Sequence, residues 1–247
     1  MADKKIGSPE DYPLDVKYTR AYAITRVLVR LLVPLWGGLT VRGGENIPDR
    51  GPVILAPNHR AYVDPPYLSM VTKRQLRMMG KEELFKIPGI GAYIRAMAAF
   101  PVKRGSADRA AIRQAIEEIK AGHVLGIFPE GKRSDPGTLS PAEKGFALIA
   151  KQTGAPIIPI ALEGTDHVHP KHAKRLYRFH VTATVGKPMT ASEILAANPD
   201  PTKDALTIIS EVTMRAIAAL MDSPVTILSE GEVAAAESLA KKVSPAP

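Results

Sequence analysis

Apolar positions along this chain recur with two periods, and the switches between them lay out its elements. Three short apolar runs stand out: Val53-Ile54-Leu55-Ala56, Val124-Leu125-Gly126-Ile127-Phe128 and Pro156-Ile157-Ile158-Pro159-Ile160-Ala161. Each predicts a strand buried on both faces. Residues 76–80 and 99–102 predict shorter strands. Residues 179–185 set His, Thr and Thr against Val, Ala and Val, the alternation of a half-buried strand. Helical period takes over between these runs. Ala110, Ile112, Ala115, Ile116 and Ile119 share one face, with Ser106 as the predicted cap and Gly122 as the stop. Ser140-Pro141-Ala142-Glu143 has the form of a capping box opening a helix to about Thr153. Pro65-Pro66 fits a helix start with Asp64 as its N-cap. Residues 82–85 and 90–98 predict short helices, and 204–221 a last one. Strands alternating with helices predict an α/β domain: a mostly parallel or mixed central sheet flanked by helices.

The N-terminal pattern differs. Residues 18–39 are rich in Ala, Ile, Val and Leu but carry Arg20, Arg26 and Arg30, then Pro34 and Gly37-Gly38. A spanning helix needs about 20 largely uncharged residues. The periodicity instead fits an amphipathic helix with its arginines on one broad flank. Such a helix can lie in a bilayer interface or pack on a domain core, and the periodicity favours neither. The expected division is 1–39 as polar N-terminus and amphipathic segment, 40–221 as the α/β domain, and 222–247 as a mobile tail rich in Ala, Ser, Glu, Lys and Pro.

Composition narrows the function. The apolar share of 45% and charged share of 23% are those of an ordinary globular protein. A net charge of +8 suits an anionic partner: nucleic acid, a phosphorylated substrate or an acidic membrane surface. An aromatic share of 5% disfavours recognition of single strands by base stacking. The absence of Cys removes disulfides, thiolate metal sites and a Cys nucleophile.

Candidate chemistry follows the strands. After the first comes Asn58-His59-Arg60-Ala61-Tyr62-Val63-Asp64, an imidazole with a carboxylate five residues on. A His oriented by an Asp takes a proton from an alcohol near neutral pH. Lys103 and Arg104 follow the 99–102 run, and Glu130, Gly131, Lys132, Arg133 and Ser134 follow the 124–128 run. If these strands are parallel neighbours, their loops meet beyond the carboxyl ends. The site would then hold a base, its orienting acid and a cationic grip for phosphate. Residues 126–133 approach the nucleotide P-loop pattern but end in Arg133, not Ser or Thr. Glu163, Asp166, His167, His169 and His172 lack metal-ligand spacing and read as a solvated loop, so no metal is expected.

Four ordered motifs resemble the lysophosphatidic acid acyltransferase family of the glycerolipid acyltransferase superfamily. They are NHxxxxD at Asn58, His59 and Asp64; a Phe with a following Arg at Phe100 and Arg104; FPEGTRS at Phe128 to Ser134, with Lys132 in place of Thr; and the proline-bracketed strand Pro156 to Pro159. The resemblance implies that His59 and Asp64 are catalytic. It implies that Lys103, Arg104, Glu130, Gly131, Lys132 and Arg133 bind substrate. The implied reaction moves an acyl group from acyl-CoA or acyl-acyl carrier protein to the hydroxyl of lysophosphatidic acid, with no cofactor. It also implies peripheral or monotopic association with anionic lipid on the cytoplasmic face of the cell membrane, and gives residues 18–39 a purpose there. Acylation of glycerol-3-phosphate or another lysophospholipid is the alternative within the superfamily. A basic nucleic-acid-binding protein is the alternative of another class, disfavoured by the lack of a recognition motif.

Overall fold

A computed structural model describes residues 11–12, 18–103, 108–171 and 173–235. Its strands are β1 (Leu39–Arg42), β2 (Val53–Pro57), β3 (Leu76–Lys81), β4 (Ala99–Val102), β5 (Val124–Gly126), β6 (Thr138–Leu139), β7 (Ile157–Glu163), β8 (Val181–Val185) and β9 (Thr226–Ile227). Its helices are α1 (Arg20–Leu32), α2 (Asp64–Val71), α3 (Glu82–Lys86), α4 (Ile90–Ala96), α5 (Arg109–Lys120), α6 (Lys144–Thr153), α7 (Thr165–Val168), α8 (Ala191–Ala197) and α9 (Ala205–Ala219).

The main sheet runs β1-β8-β7-β2-β5-β3-β4. Every pairing in it is parallel except β7 with β8. The expected α/β class with a mixed, mostly parallel sheet is therefore the observed one. β2, β5 and β7 are its centre, and their buried apolar runs explain that position: both faces are covered. Ile54, Leu125 and Ile157 pack under α5, α6, α8 and α9, together with Ile119, Phe146 and Ile209. Val53, Leu55, Val124 and Ile158 face the opposite layer, which α2 supplies through Leu68 and Val71. β8 keeps the expected alternation, with Val181, Ala183 and Val185 inward.

Three expected caps are corrected. Asp64 is the first residue of α2, not its N-cap, because its carboxylate turns back over residues 59–61. α5 is capped by Asp108, whose carboxylate accepts from the N–H groups of Ala110 and Ala111; Ser106 lies outside the described residues. α6 begins at Lys144 rather than at Pro141, because Ser140 is engaged elsewhere. The expected tail from 222 begins with ordered chain: β9 pairs with β6, and the Leu228 N–H donates to the Leu139 carbonyl. That segment has a buried edge to join, since Leu139 clusters with Met214 and Ile217 of α9. Residues 236–247 lie outside the described residues.

α1 departs most from a packed surface helix. Tyr22 is buried and its hydroxyl accepts from the Leu76 N–H, while the Arg26 guanidinium donates to the Ser69 carbonyl of α2. Arg26 thus faces the domain instead of joining Arg20 and Arg30 on one outer flank. Outward stand Ile24, Val27, Leu28 and Leu31, 52–65% exposed, and Leu35 in the following turn at 66%. Among the described residues no helix is long and apolar enough to cross a membrane.

Candidate active site

Because β7, β2 and β5 run parallel side by side, the chain leaves all three at one edge of the sheet. Residues 58–64 follow β2, and residues 127–134 follow β5. The first loop is fastened on the β7 side by Asn58. Its amide donates to the Leu162 carbonyl at 3.0 Å and accepts from the Leu162 N–H at 2.7 Å. An extended strand end thereby gains the pairing a further residue of ladder would supply.

His59 and Asp64 meet as the spacing predicts. Nδ1 of His59 lies 2.6 Å from Oδ2 of Asp64. The same oxygen accepts from the N–H groups of Arg60, at 2.7 Å, and Ala61, at 2.8 Å. An oxygen serving two backbone donors is an acceptor, so Nδ1 donates to it and Nε2 keeps its lone pair. Asp64 is fully buried, and 8% of the His59 side chain reaches solvent. The Phe128 ring stacks on the imidazole with centroids 4.0 Å apart and planes at 22°. The imidazole is therefore held at Nδ1 by Asp64 and across one face by Phe128.

Glu130 joins the two loops. Oε1 accepts from the His59 N–H at 2.8 Å, and Oε2 from the Ser140 N–H at 2.7 Å and from the Ser134 hydroxyl. Ser134 closes the circuit: its N–H donates to the His59 carbonyl at 2.8 Å, and its hydroxyl lies 2.9 Å from that of Ser140. Burial pushes the Glu130 carboxyl up, against the lowering effect of its three donors. Both oxygens are spent inside the protein. The resemblance implied substrate binding for Glu130; the geometry gives it the ordering of the two loops.

Arg133 stands at the rim. Its guanidinium carbon lies 3.8 Å from the centroid of the Tyr62 ring, and Nη2 donates to the Tyr62 hydroxyl at 3.1 Å. Tyr62 itself is 67% exposed. Gly131 holds the turn with a φ of +64°, and a Cβ there would sit 2.8 Å from Cγ of Glu143. Lys132 is half-buried. Lys103 is on the same edge of the sheet, but β3 lies between β4 and β5. Lys103 therefore leaves the sheet two strands from the Glu130 loop, and its N–H donates to Asp108. Arg104 lies outside the described residues.

The acidic and imidazole groups of the 163–172 stretch disperse. Glu163 accepts from the N–H groups of Asp222 and Ser223. Asp166 stands 4.0 Å from the Arg60 guanidinium. His167 meets the Phe179 ring, and His169 meets Tyr62 edge-on. His172 lies outside the described residues. Among the described residues no three His, Asp or Glu side chains gather to hold a metal.

The sequence reading missed four contributors. Phe128 and Asn58 lay inside recognised motifs, yet their stacking and strand-end pairing depend on neighbours far along the chain. Ser140 was assigned to a helix cap. Tyr62 occupied an unspecified position between His59 and Asp64, with only its exposed aromatic type as a signal.

A His–Asp pair stands at the carboxyl edge of an α/β sheet, bracketed to an arginine-bearing loop. The chain belongs to the acyltransferase family, whose model matches residues 38–163. The 1-acyl-sn-glycerol-3-phosphate acyltransferase of Bacillus subtilis is 29% identical over 185 residues, 74% of this chain and 88% of that one. The chloroplastic 1-acyl-sn-glycerol-3-phosphate acyltransferase BAT2 of Brassica napus is 29% identical over 66% of this chain, and the match covers 50% of that protein. The crystal structure of the 1-acyl-sn-glycerophosphate (LPA) acyltransferase PlsC from Thermotoga maritima matches with a TM-score of 0.65 and 27% identity. That match covers 82% of this chain and 80% of that one.

Proposed function

We propose that this acyltransferase moves a fatty acyl group from a thioester donor to the free hydroxyl of lysophosphatidic acid, giving phosphatidic acid. The observation that carries the reading is the His59–Asp64 contact, which leaves Nε2 as a lone-pair base at a partly open site. The similarity to the Bacillus subtilis and Thermotoga maritima 1-acylglycerol-phosphate acyltransferases points to the acceptor.

In the proposed reaction, Nε2 of His59 takes the hydroxyl proton as the acceptor oxygen attacks the thioester carbonyl. Asp64 stabilises the imidazolium through Nδ1–H. The tetrahedral intermediate collapses, the C–S bond breaks, and the imidazolium returns its proton to the departing thiolate. An ester and a free thiol result, with no acyl-enzyme and no cofactor. The donor is acyl-CoA or acyl-acyl carrier protein. Arg133 at the rim supplies positive charge for the acceptor phosphate, with Lys132 and Lys103 as further cations on that edge; the family motif adds Arg104, which lies outside the described residues. Gly131 lets the loop turn sharply beside them. The exposed apolar side of α1 suits a peripheral seat on an anionic membrane surface, where a lipid acceptor resides.

The deciding experiment is thiol release from acyl-CoA and acyl-acyl carrier protein with a panel of acceptors, followed by mass spectrometry of the product. Phosphatidic acid formed faster than any other product is expected. Preferred acylation of glycerol-3-phosphate would move the enzyme to the other acceptor class. His59→Ala should lower turnover by about a thousandfold or more with the melting temperature nearly unchanged. A variant with wild-type turnover would remove His59 from the mechanism.

A further inference from the structure

The described residues between Pro170 and His180 reach from the active-site rim to the turn after α1, and the composition of the stretch is one-sided. The stretch Pro170-Lys171-His172-Ala173-Lys174-Arg175-Leu176-Tyr177-Arg178-Phe179-His180 contains four Lys or Arg and no acidic residue. Lys174, Arg175 and Arg178 are exposed, and between them Tyr177 and Phe179 expose 42% and 44% of their surface. The segment bounds an open basin of about 510 Å³ whose lining includes His167, Tyr177, Arg178 and Phe179. Cations interleaved with half-exposed rings are costly surface for a group that meets only water, and favourable surface at a charged interface.

Both ends of the strap are fastened. At the site end, Lys171 pairs with Asp135 at 2.7 Å, and His169 sets its ring against Tyr62, on which Arg133 stacks. At the other end, the Phe179 N–H donates to the Trp36 carbonyl at 2.9 Å, and Nδ1 of His180 lies 2.8 Å from the Gly37 carbonyl. Gly37 has a φ of +109°, and a Cβ there would stand 2.3 Å from the Phe179 backbone, so the two segments touch directly. The strap's end therefore meets the turn that follows α1, where Leu35 is 66% exposed.

We propose that the 173–180 strap is a docking surface for an anionic phospholipid bilayer, laying Lys174, Arg175 and Arg178 at the headgroups and the Tyr177 and Phe179 rings among them. Two observations favour a bilayer over an acidic carrier protein: the backbone contact with the turn that carries exposed Leu35, and aromatic side chains placed beside the cations. Docking here sets the active-site rim against the lipid surface, so a lysolipid reaches His59 without leaving the interface. The inference rests on the reading that the acceptor is a membrane lipid.

The test is flotation of the full chain with vesicles of phosphatidylcholine, with and without phosphatidylglycerol. Wild-type protein should bind the anionic vesicles more tightly, and salt should weaken that preference. Replacing Lys174, Arg175 and Arg178 together by Ala should weaken partition to anionic vesicles by about a hundredfold, at about tenfold or less per cation. Turnover on acceptor dispersed in detergent should stay at the wild-type level. Arg178→Glu alone, the milder change, should lower partition in the same direction with an unchanged melting temperature. Wild-type partition in both variants would overturn the proposal. So would unchanged partition with a raised KM for the carrier-protein thioester, which would give the surface to an acidic protein. Vesicle partition is read without any acyl transfer, so failure of the acceptor assignment would show separately, in the product analysis.

Discussion

Asp64 spends one carboxylate oxygen on three donors: the imidazole that it orients and two backbone N–H groups that shape the loop. Asp64→Asn keeps an acceptor but loses the charge that stabilises an imidazolium. It should cut turnover by about a thousandfold while costing little stability, as paired rate and melting measurements would show. Asp64→Ala should in addition destabilise the fold, because two buried donors lose their partner at about 1–3 kcal/mol each. Glu130 offers a pH signature. Its carboxyl is raised above the ordinary value of 4.5, so the folded state holds the proton longer than the unfolded chain. Its contribution to stability is full below 4.5 and is lost as pH rises through the folded value. Glu130→Gln should flatten that part of the stability profile in a melting series across mildly acidic pH. An unaltered slope would remove Glu130 as its source. The dyad was legible in the sequence because His and Asp stand on one turn, five residues apart. The roles of Glu130 and Asn58 were not, since their partners stand 71 and 104 residues away.

Two stretches of this chain carry the same capping signature, and only one of them forms the cap. Thr190 and Glu193 form a true capping box on α8, with each side chain bonded to the other residue's backbone N–H. Ser140 and Glu143 carry the same spacing without forming one. The Ser140 N–H is committed to Glu130 and the Glu143 N–H to the Pro129 carbonyl, so the helix starts one turn later. The site outcompetes the cap because it satisfies buried groups, whereas a surface cap contributes only about 1 kcal/mol. α5 illustrates the cap in its ordinary form. Asp108 holds the Ala110 and Ala111 N–H groups and also that of Lys103, and these bonds keep its carboxyl below the ordinary range. Asp108→Ala should cost about 1 kcal/mol in denaturant unfolding and free the chain that leaves β4. A raised KM for the phosphorylated acceptor in this variant would link that segment to the cationic edge.

At the scale of the molecule, the strands were legible but their order was not. Apolar runs announce β2, β5 and β7, yet only packing places β2 between the other two and turns β8 antiparallel to β7. The N-terminal periodicity fits two seats, a bilayer interface or the domain core, and does not choose between them. The structure turns Tyr22 and Arg26 to the domain and leaves the other side apolar and open. Deleting residues 1–39 should lower vesicle flotation more than changing the strap does, because it removes the larger apolar area. Unchanged flotation would seat the protein on a different surface.

The bracket that joins His59 to Glu130 also sets a clock. Its bonds to His59 and Asn58 are long-range: they come from residues that arrive with β5 and β7, and loops of such length close late in folding. Helices such as α5 and α9 can form earlier from neighbouring residues alone. During refolding, ellipticity should return ahead of catalytic turnover, which makes acyl transfer a late reporter of the assembled sheet.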